Sequence, residues 1–186
     1  MQRHLLVYRL STHKHKPCYD DDMQKFTQKY AIIQLLEVME EGSEYLSSNW
    51  PLHVTIGDTF AVDWENNNLF NKLSELLTMK KPVISKAGDD DYFGPQKQTQ
   101  VTLLEMNQEL TALHRDVVSL LKRFGAVFND PQYINDGFIA HATVQSRARL
   151  QPGDTVSFDR LTIIDMFPGS DPYRRKVLKS IKLLGK

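Results

Sequence analysis

Two stretches of the chain carry the same arrangement of residue types, "PLHVTIG" at 51–57 and "FIAHATV" at 138–144. Each places a histidine, one apolar residue and a threonine inside an apolar run. On a β-strand, residues i and i+2 face the same way. His53 and Thr55 therefore project together, as do His141 and Thr143. An imidazole titrates near neutrality and serves as either acid or base, and a threonine hydroxyl beside it donates to an oxyanion. If both pairs point into one cleft, the set suits an in-line displacement at phosphorus. One histidine takes the proton of the attacking oxygen and the other protonates the leaving oxygen, each transfer contributing on the order of 10²–10⁴ in rate. This chemistry requires no metal, the sequence holds no His-Glu-x-x-His pattern, and no cofactor is expected. With 6 histidines in the chain, a single His-x-Thr carries no weight. Two of them, on strand-like runs and in equivalent places, do.

The elements that must position these residues are read from periodicity and punctuation. "HLLVYRL" (4–10) reads as a strand and the polar, Pro17-broken stretch 11–22 as a loop. Over 23–41 apolar residues recur at helical intervals (Phe26, Tyr30, Ile33, with Ile32, Leu36 and Met39), and Gly42 is a suitable stop. The first His-x-Thr run is strand-like, 66–77 is a helix, and "VIS" (83–85) is a strand entering a Gly- and Asp-rich loop, "KAGDDDYFGPQ". Strand 101–106 precedes a helix capped by Asn107, with the stripe Leu110, Leu113, Val117, Leu121 and Phe124, ended by Gly125. Strands 138–145, 156–167 and 176–184 complete the chain. The order strand, helix, His-x-Thr strand, strand occurs twice, over about 4–95 and 101–169, which reads as a degenerate duplication within one domain, 1–186.

Bulk properties limit the function classes. The formal net charge is zero, which argues against gripping long nucleic acid by phosphate neutralisation; DNA is not an expected partner. Cys18 is the sole cysteine, so neither an intrachain disulfide nor a cysteine-based zinc site is available. The apolar run near the N-terminus is too short for a signal peptide, and none approaches membrane-spanning length. The expectation is a cytoplasmic, monomeric protein that takes a small nucleotide or an RNA terminus.

On the tetrapeptides "HVTI" (53–56) and "HATV" (141–144), and on element order over residues 4–167, the chain resembles the two-histidine (2H) phosphoesterase superfamily. That group includes 2′-5′ RNA ligase-like proteins and cyclic nucleotide phosphodiesterases. The resemblance implies an α+β fold of two lobes related by pseudo-twofold symmetry, with two antiparallel sheets flanking a central cleft and helices outside. It also implies metal-independent chemistry on 2′,3′-cyclic phosphates or 2′-5′ linkages, with His53, Thr55, His141 and Thr143 catalytic. Many ligase-like relatives have a basic residue soon after the first motif, where this chain has Gly57-Asp58, and Arg147 follows the second motif slightly later than in them.

Phe93 and Tyr133, in polar stretches near the motif strands, are candidates to stack on a nucleobase, and Lys97 and Arg147 to pair with phosphate. Trp50 reads as a packing residue, Asp89-Asp90-Asp91 as a turn, His114 as a surface residue, and "HKHK" (13–16) as a loop. The cluster Arg174, Arg175 and Lys176 reads either as the skirt of a cleft or as an exposed edge. Two alternatives share the same site: a non-catalytic nucleotide- or RNA-end-binding module, and RNA ligation in the reverse direction.

Overall fold

The computed structural model describes residues 28–63 and 66–185. The expected strand 4–10, the loop 11–22 with "HKHK" and Cys18, and the start of the expected helix 23–41 lie outside the described residues. The fold is α+β, two antiparallel sheets with two helices. One sheet has six strands, β1 (Lys29–Leu35), β2 (Glu44–Leu46), β3 (His53–Ala61), β6 (Val127–Phe128), β9 (Arg160–Asp165) and β10 (Arg174–Lys182), in the order β2-β10-β9-β1-β3-β6. The other has four, β4 (Val83–Phe93), β5 (Thr99–Leu104), β7 (His141–Thr143) and β8 (Thr155–Phe158), in the order β7-β5-β4-β8. Helix α1 (Asn66–Thr78) packs on β10, and α2 (Gln108–Arg123) packs on β3 and β4. Among the described residues no helix is long and apolar enough to cross a membrane.

The expected helix over 23–41 is corrected: residues 29–35 form the strand β1. Its burial explains the misreading. Ala31 and Ile33 pack on one face of the six-stranded sheet, in a cluster with Ile164 and Val177, while Tyr30 and Ile32 join the main core on the other. A strand buried on both faces shows a continuous apolar run, and periodicity alone does not separate that from a helix. Gly42, with φ +89°, turns the chain between β1 and β2 and ends no helix. The supposed duplication therefore loses the first of its two helices.

Other boundaries move for similarly local reasons. The stretch expected as a loop after "VIS" continues as strand, because β4 runs to Phe93. Within it Asp90 is no turn residue. Arg149 Nη2 donates to both Asp90 oxygens at 2.7 and 2.8 Å, and Gln100 Nε2 and Thr102 Oγ1 donate at 2.8 and 2.9 Å. These donors hold the carboxyl below its ordinary titration range, Arg149 foremost. The expected strand 156–167 is two strands: at Asp159 the chain leaves the four-stranded sheet and enters the six-stranded one, tying the sheets together. Helix α2 matches its sequence signals except at Phe124, which caps the helix end and is exposed instead of joining the buried stripe. Asn107 caps it by accepting from the Leu110 N–H at 2.7 Å, Lys122 and Arg123 occupy its last turn, and Gly125 follows at φ +82°.

Candidate active site

The His53 end of β3 is held by β1, with Leu35 opposite His53 and Ile33 opposite Thr55. Strand β6 pairs only with the far end, at Phe60 and Ala61. Strand β7 is an edge strand held by β5, with Leu103 opposite His141 and Val101 opposite Thr143. β3 and β7 pack against each other without pairing, one from each sheet. The alternation expected of the motifs holds: Val54, Ile56 and Ala142 are fully buried, while His53, Thr55, His141 and Thr143 are partly accessible.

Both imidazoles are anchored in the same way. His53 Nδ1 lies 2.8 Å from the Pro51 carbonyl oxygen, and His141 Nδ1 lies 2.7 Å from the Ile139 carbonyl oxygen, two residues upstream in each case. A carbonyl oxygen only accepts, so each Nδ1 bears a hydrogen and donates it. In the neutral ring this leaves the Nε2 lone pair for the cleft; in the cation, Nε2 carries a proton to give. Burial lowers the pKa of both rings, and the charge of His141 lowers that of His53 further. Trp50 lies against the His53 ring at 4.7 Å between centroids, and Phe93 meets the His141 ring edge-on at 4.8 Å. Arg175 lies over the Trp50 ring, 5.7 Å from its centroid. Trp50 is thus a packing residue, as expected, and also a wall of the site. Arg174 and Lys176, by contrast, pair with Glu44.

Two chambers flank the histidines. One, of about 450 Å³, is lined by Ser47, Ser48, Asn49, Trp50, His53, Thr143, Gln145, Ser146 and Arg147. The other, of about 580 Å³, is lined by Thr55, Asp58, Tyr92, Phe93, His114, Asp130, Tyr133, Phe138, Ile139 and His141 among others. The motif side chains are therefore split crosswise, His53 with Thr143 and His141 with Thr55. Of the four expected substrate contacts, Arg147 lines the first chamber, and Phe93 and Tyr133 line the second. Lys97 instead occupies the turn between β4 and β5, its N–H donating to the Gly94 carbonyl at 3.0 Å.

His114, read from sequence as a surface residue, is only 1% exposed. Its flanking Arg115 and Asp116 point outward, but the histidine itself belongs to the buried stripe of α2. The ring stacks on Phe138 at 3.8 Å, Nε2 accepts the Asn135 N–H at 2.8 Å, and Nδ1 donates to the Ile56 carbonyl at 2.7 Å. The helix thereby fastens the 131–139 segment to β3, and that segment carries Tyr133 and the carbonyl that orients His141. Helical spacing offered a signal, since His114 lies four residues after Leu110 and three before Val117.

No protein-family model matches the chain, and no curated protein matches it by sequence. Solved structures do match its fold. A structure described as a phosphoesterase superposes with a TM-score of 0.52 at 16% identity, covering 84% of this chain and 98% of its own. TT0787 of Thermus thermophilus superposes with a TM-score of 0.53 at 14% identity, covering 85% and 99%. At such identities the likeness is one of fold.

Proposed function

We propose that the chain is a two-histidine phosphoesterase that hydrolyses 2′,3′-cyclic phosphates or 2′-5′ phosphodiester linkages in nucleotides or short RNA without a metal, acting as a monomer. The observation that carries this reading is the matched anchoring of His53 and His141. Each Nδ1–H is tied to a backbone carbonyl and each Nε2 is left for proton transfer, on two strands that meet from opposite sheets. With a cyclic phosphate, the neutral histidine takes a proton from water through Nε2 as the water oxygen bonds to phosphorus. The bond from phosphorus to the departing ribose oxygen breaks, and the protonated histidine gives that oxygen its Nε2 proton. Thr55 and Thr143 donate to the non-bridging oxygens, whose charge grows in the transition state. The histidines exchange protonation states over one turnover, and solvent resets them.

The test is hydrolysis of a panel of 2′,3′-cyclic nucleotides and 2′-5′-linked dinucleotides by EDTA-treated protein. Turnover of a panel member supports the reading. Affinity for the panel with no turnover means a binding module instead.

A pH profile adds a separate check. The reactive form needs one neutral and one protonated histidine, so its population peaks between the two apparent pKa values of the pair. Both are lowered from the ordinary 6.5. Above them the acid has lost its proton, and below them the base has gained one. The profile of kcat/KM is therefore expected to be a bell with its maximum on the acid side of 6.5. A maximum at clearly alkaline pH would mean that other groups titrate in catalysis.

A further inference from the structure

The two chambers differ in chemistry. The one beside His53 presents hydroxyl, amide and guanidinium groups, with Arg147 its charged member and, among the described residues, no carboxylate in its lining. The one beside His141 has aromatic walls, Phe93, Tyr133 and Phe138, and holds two carboxylates, Asp58 and Asp130. A phosphate group is favoured in the first and disfavoured beside the two carboxylates of the second. A flat ring with N–H groups at its edge is suited to the second, between aromatic faces and carboxylate acceptors.

Asp58 reaches this chamber through an irregularity in β3. Regular alternation from His53 and Thr55 would place Gly57 on the cleft side and turn Asp58 into the core. The pairing with β1 slips twice between Thr55 and Phe60, so Ile56 and Gly57 are both buried and Asp58 emerges on the cleft side. Such bulges re-aim a side chain next to a site. Gly57 permits it: a Cβ there would lie 3.2 Å from the Ile32 Cβ and 3.4 Å from the Val117 Cγ1.

We infer that the chamber beside His141 is a nucleobase subsite selective for guanine, whose N1–H and N2–H groups donate to Asp58 and Asp130, while the phosphate end of the ligand runs toward Arg147. Asp58 Oδ1 already accepts the Thr59 N–H at 2.7 Å, and Asn129 and Gln132 donate to the two oxygens of Asp130 at 2.7 and 3.2 Å. Each carboxylate oxygen accepts more than one hydrogen bond, so these contacts do not by themselves bar a ligand's N–H groups. Burial and the neighbouring Asp130 charge raise the pKa of Asp58; a ligand bringing two N–H donors relieves both effects. Guanine alone among the common bases offers two adjacent donors. Uracil flanks its single N–H with carbonyl oxygens, which meet the carboxylates with like polarity. Adenine and cytosine set a bare ring nitrogen beside their amino group. The inference rests on the nucleotide part of the proposed function and adds the base that the site selects.

Two measurements separate this inference from the esterase reading. The first compares kcat/KM for the four 2′,3′-cyclic nucleotides with the wild type, Asp58→Asn and Asp130→Asn. The second titrates the same proteins with 5′-GMP and 5′-UMP by calorimetry, which needs no turnover. The wild type is expected to favour guanine over uracil by about tenfold or more, since uracil leaves a carboxylate without its donor. Either asparagine replaces an acceptor with a mixed amide, and the guanine-to-uracil ratio is expected to fall several-fold toward one. The two substitutions lie on separate segments, so misfolding of one leaves the other as a test. Selective GMP binding without turnover upholds the subsite and overturns the esterase. Turnover or binding indifferent to the base, or a guanine preference untouched by both substitutions, overturns the subsite.

Discussion

His53→Ala and His141→Ala are each expected to lower kcat/KM on the best cyclic nucleotide by about 10²–10⁴, the contribution of one positioned proton transfer. The loss should fall mainly on kcat, because the missing group acts on the transition state. The double variant should be little worse than the poorer single one, since an acid and a base acting in the same displacement work as a unit. The two backbone carbonyls that hold the rings make this a sharp test. Pro51 and Ile139 leave each ring one nitrogen for chemistry, so no second orientation supplies an alternative proton carrier. Steady-state rates and unfolding curves on the same preparations separate lost catalysis from lost fold. Wild-type turnover in either single variant would remove that histidine from the mechanism.

The largest stability effect is expected from a residue outside the chemistry. His114→Ala removes a buried ring that bridges α2, β3 and the 131–139 segment. The Asn135 N–H and the Ile56 carbonyl both lose this partner, and a void opens beside Phe138. Together these should cost about 2–5 kcal/mol, from polar groups left unsatisfied and from the cavity. The neighbouring Arg115→Ala, which breaks an exposed ion pair with Asp136, should stay within about 1 kcal/mol of the wild type. Urea unfolding of the two variants compares them directly, and equal stability would contradict the bridging role of His114.

The same ring adds a pH dependence. Nε2 accepts a backbone N–H, so folding requires the neutral form, and burial lowers the pKa of His114 from 6.5. The unfolded chain then binds the proton first as pH falls. The stability contribution is present above about 6.5 and is lost as pH drops through the folded value. His53 and His141 act in the same direction. In His114→Ala the acid-side decline should accordingly be shallower than in the wild type.

The pair of motifs was legible because its signal is local. Alternation inside "HVTI" and "HATV" determines which side chains share a face, and that alternation survives in β3 and β7. Helix α2 was equally legible, since its apolar stripe, Asn107 cap and terminal Gly125 all lie within one short segment. β1 was not, because both of its faces are covered by other parts of the chain and the period of a half-buried strand is erased. Nor was the extent of β4, where Asp90 is held in mid-strand by Arg149, far along the chain, together with Gln100 and Thr102.

The sequence by itself determined the chemical repertoire of this protein, two imidazoles each with a hydroxyl on the same strand face, and the excess of neither charge sign. Tertiary structure decided how the repertoire is distributed. It placed β3 and β7 on different sheets that meet at the cleft, and it paired each histidine with the other motif's threonine in a separate chamber. It also turned Asp58 outward through slips in strand register, and His114 inward through the packing of a helix. The physical reason is the range of the forces involved. Side-chain direction along one strand follows from local covalent geometry. Register, sheet membership and burial depend on what the rest of the chain supplies as neighbours.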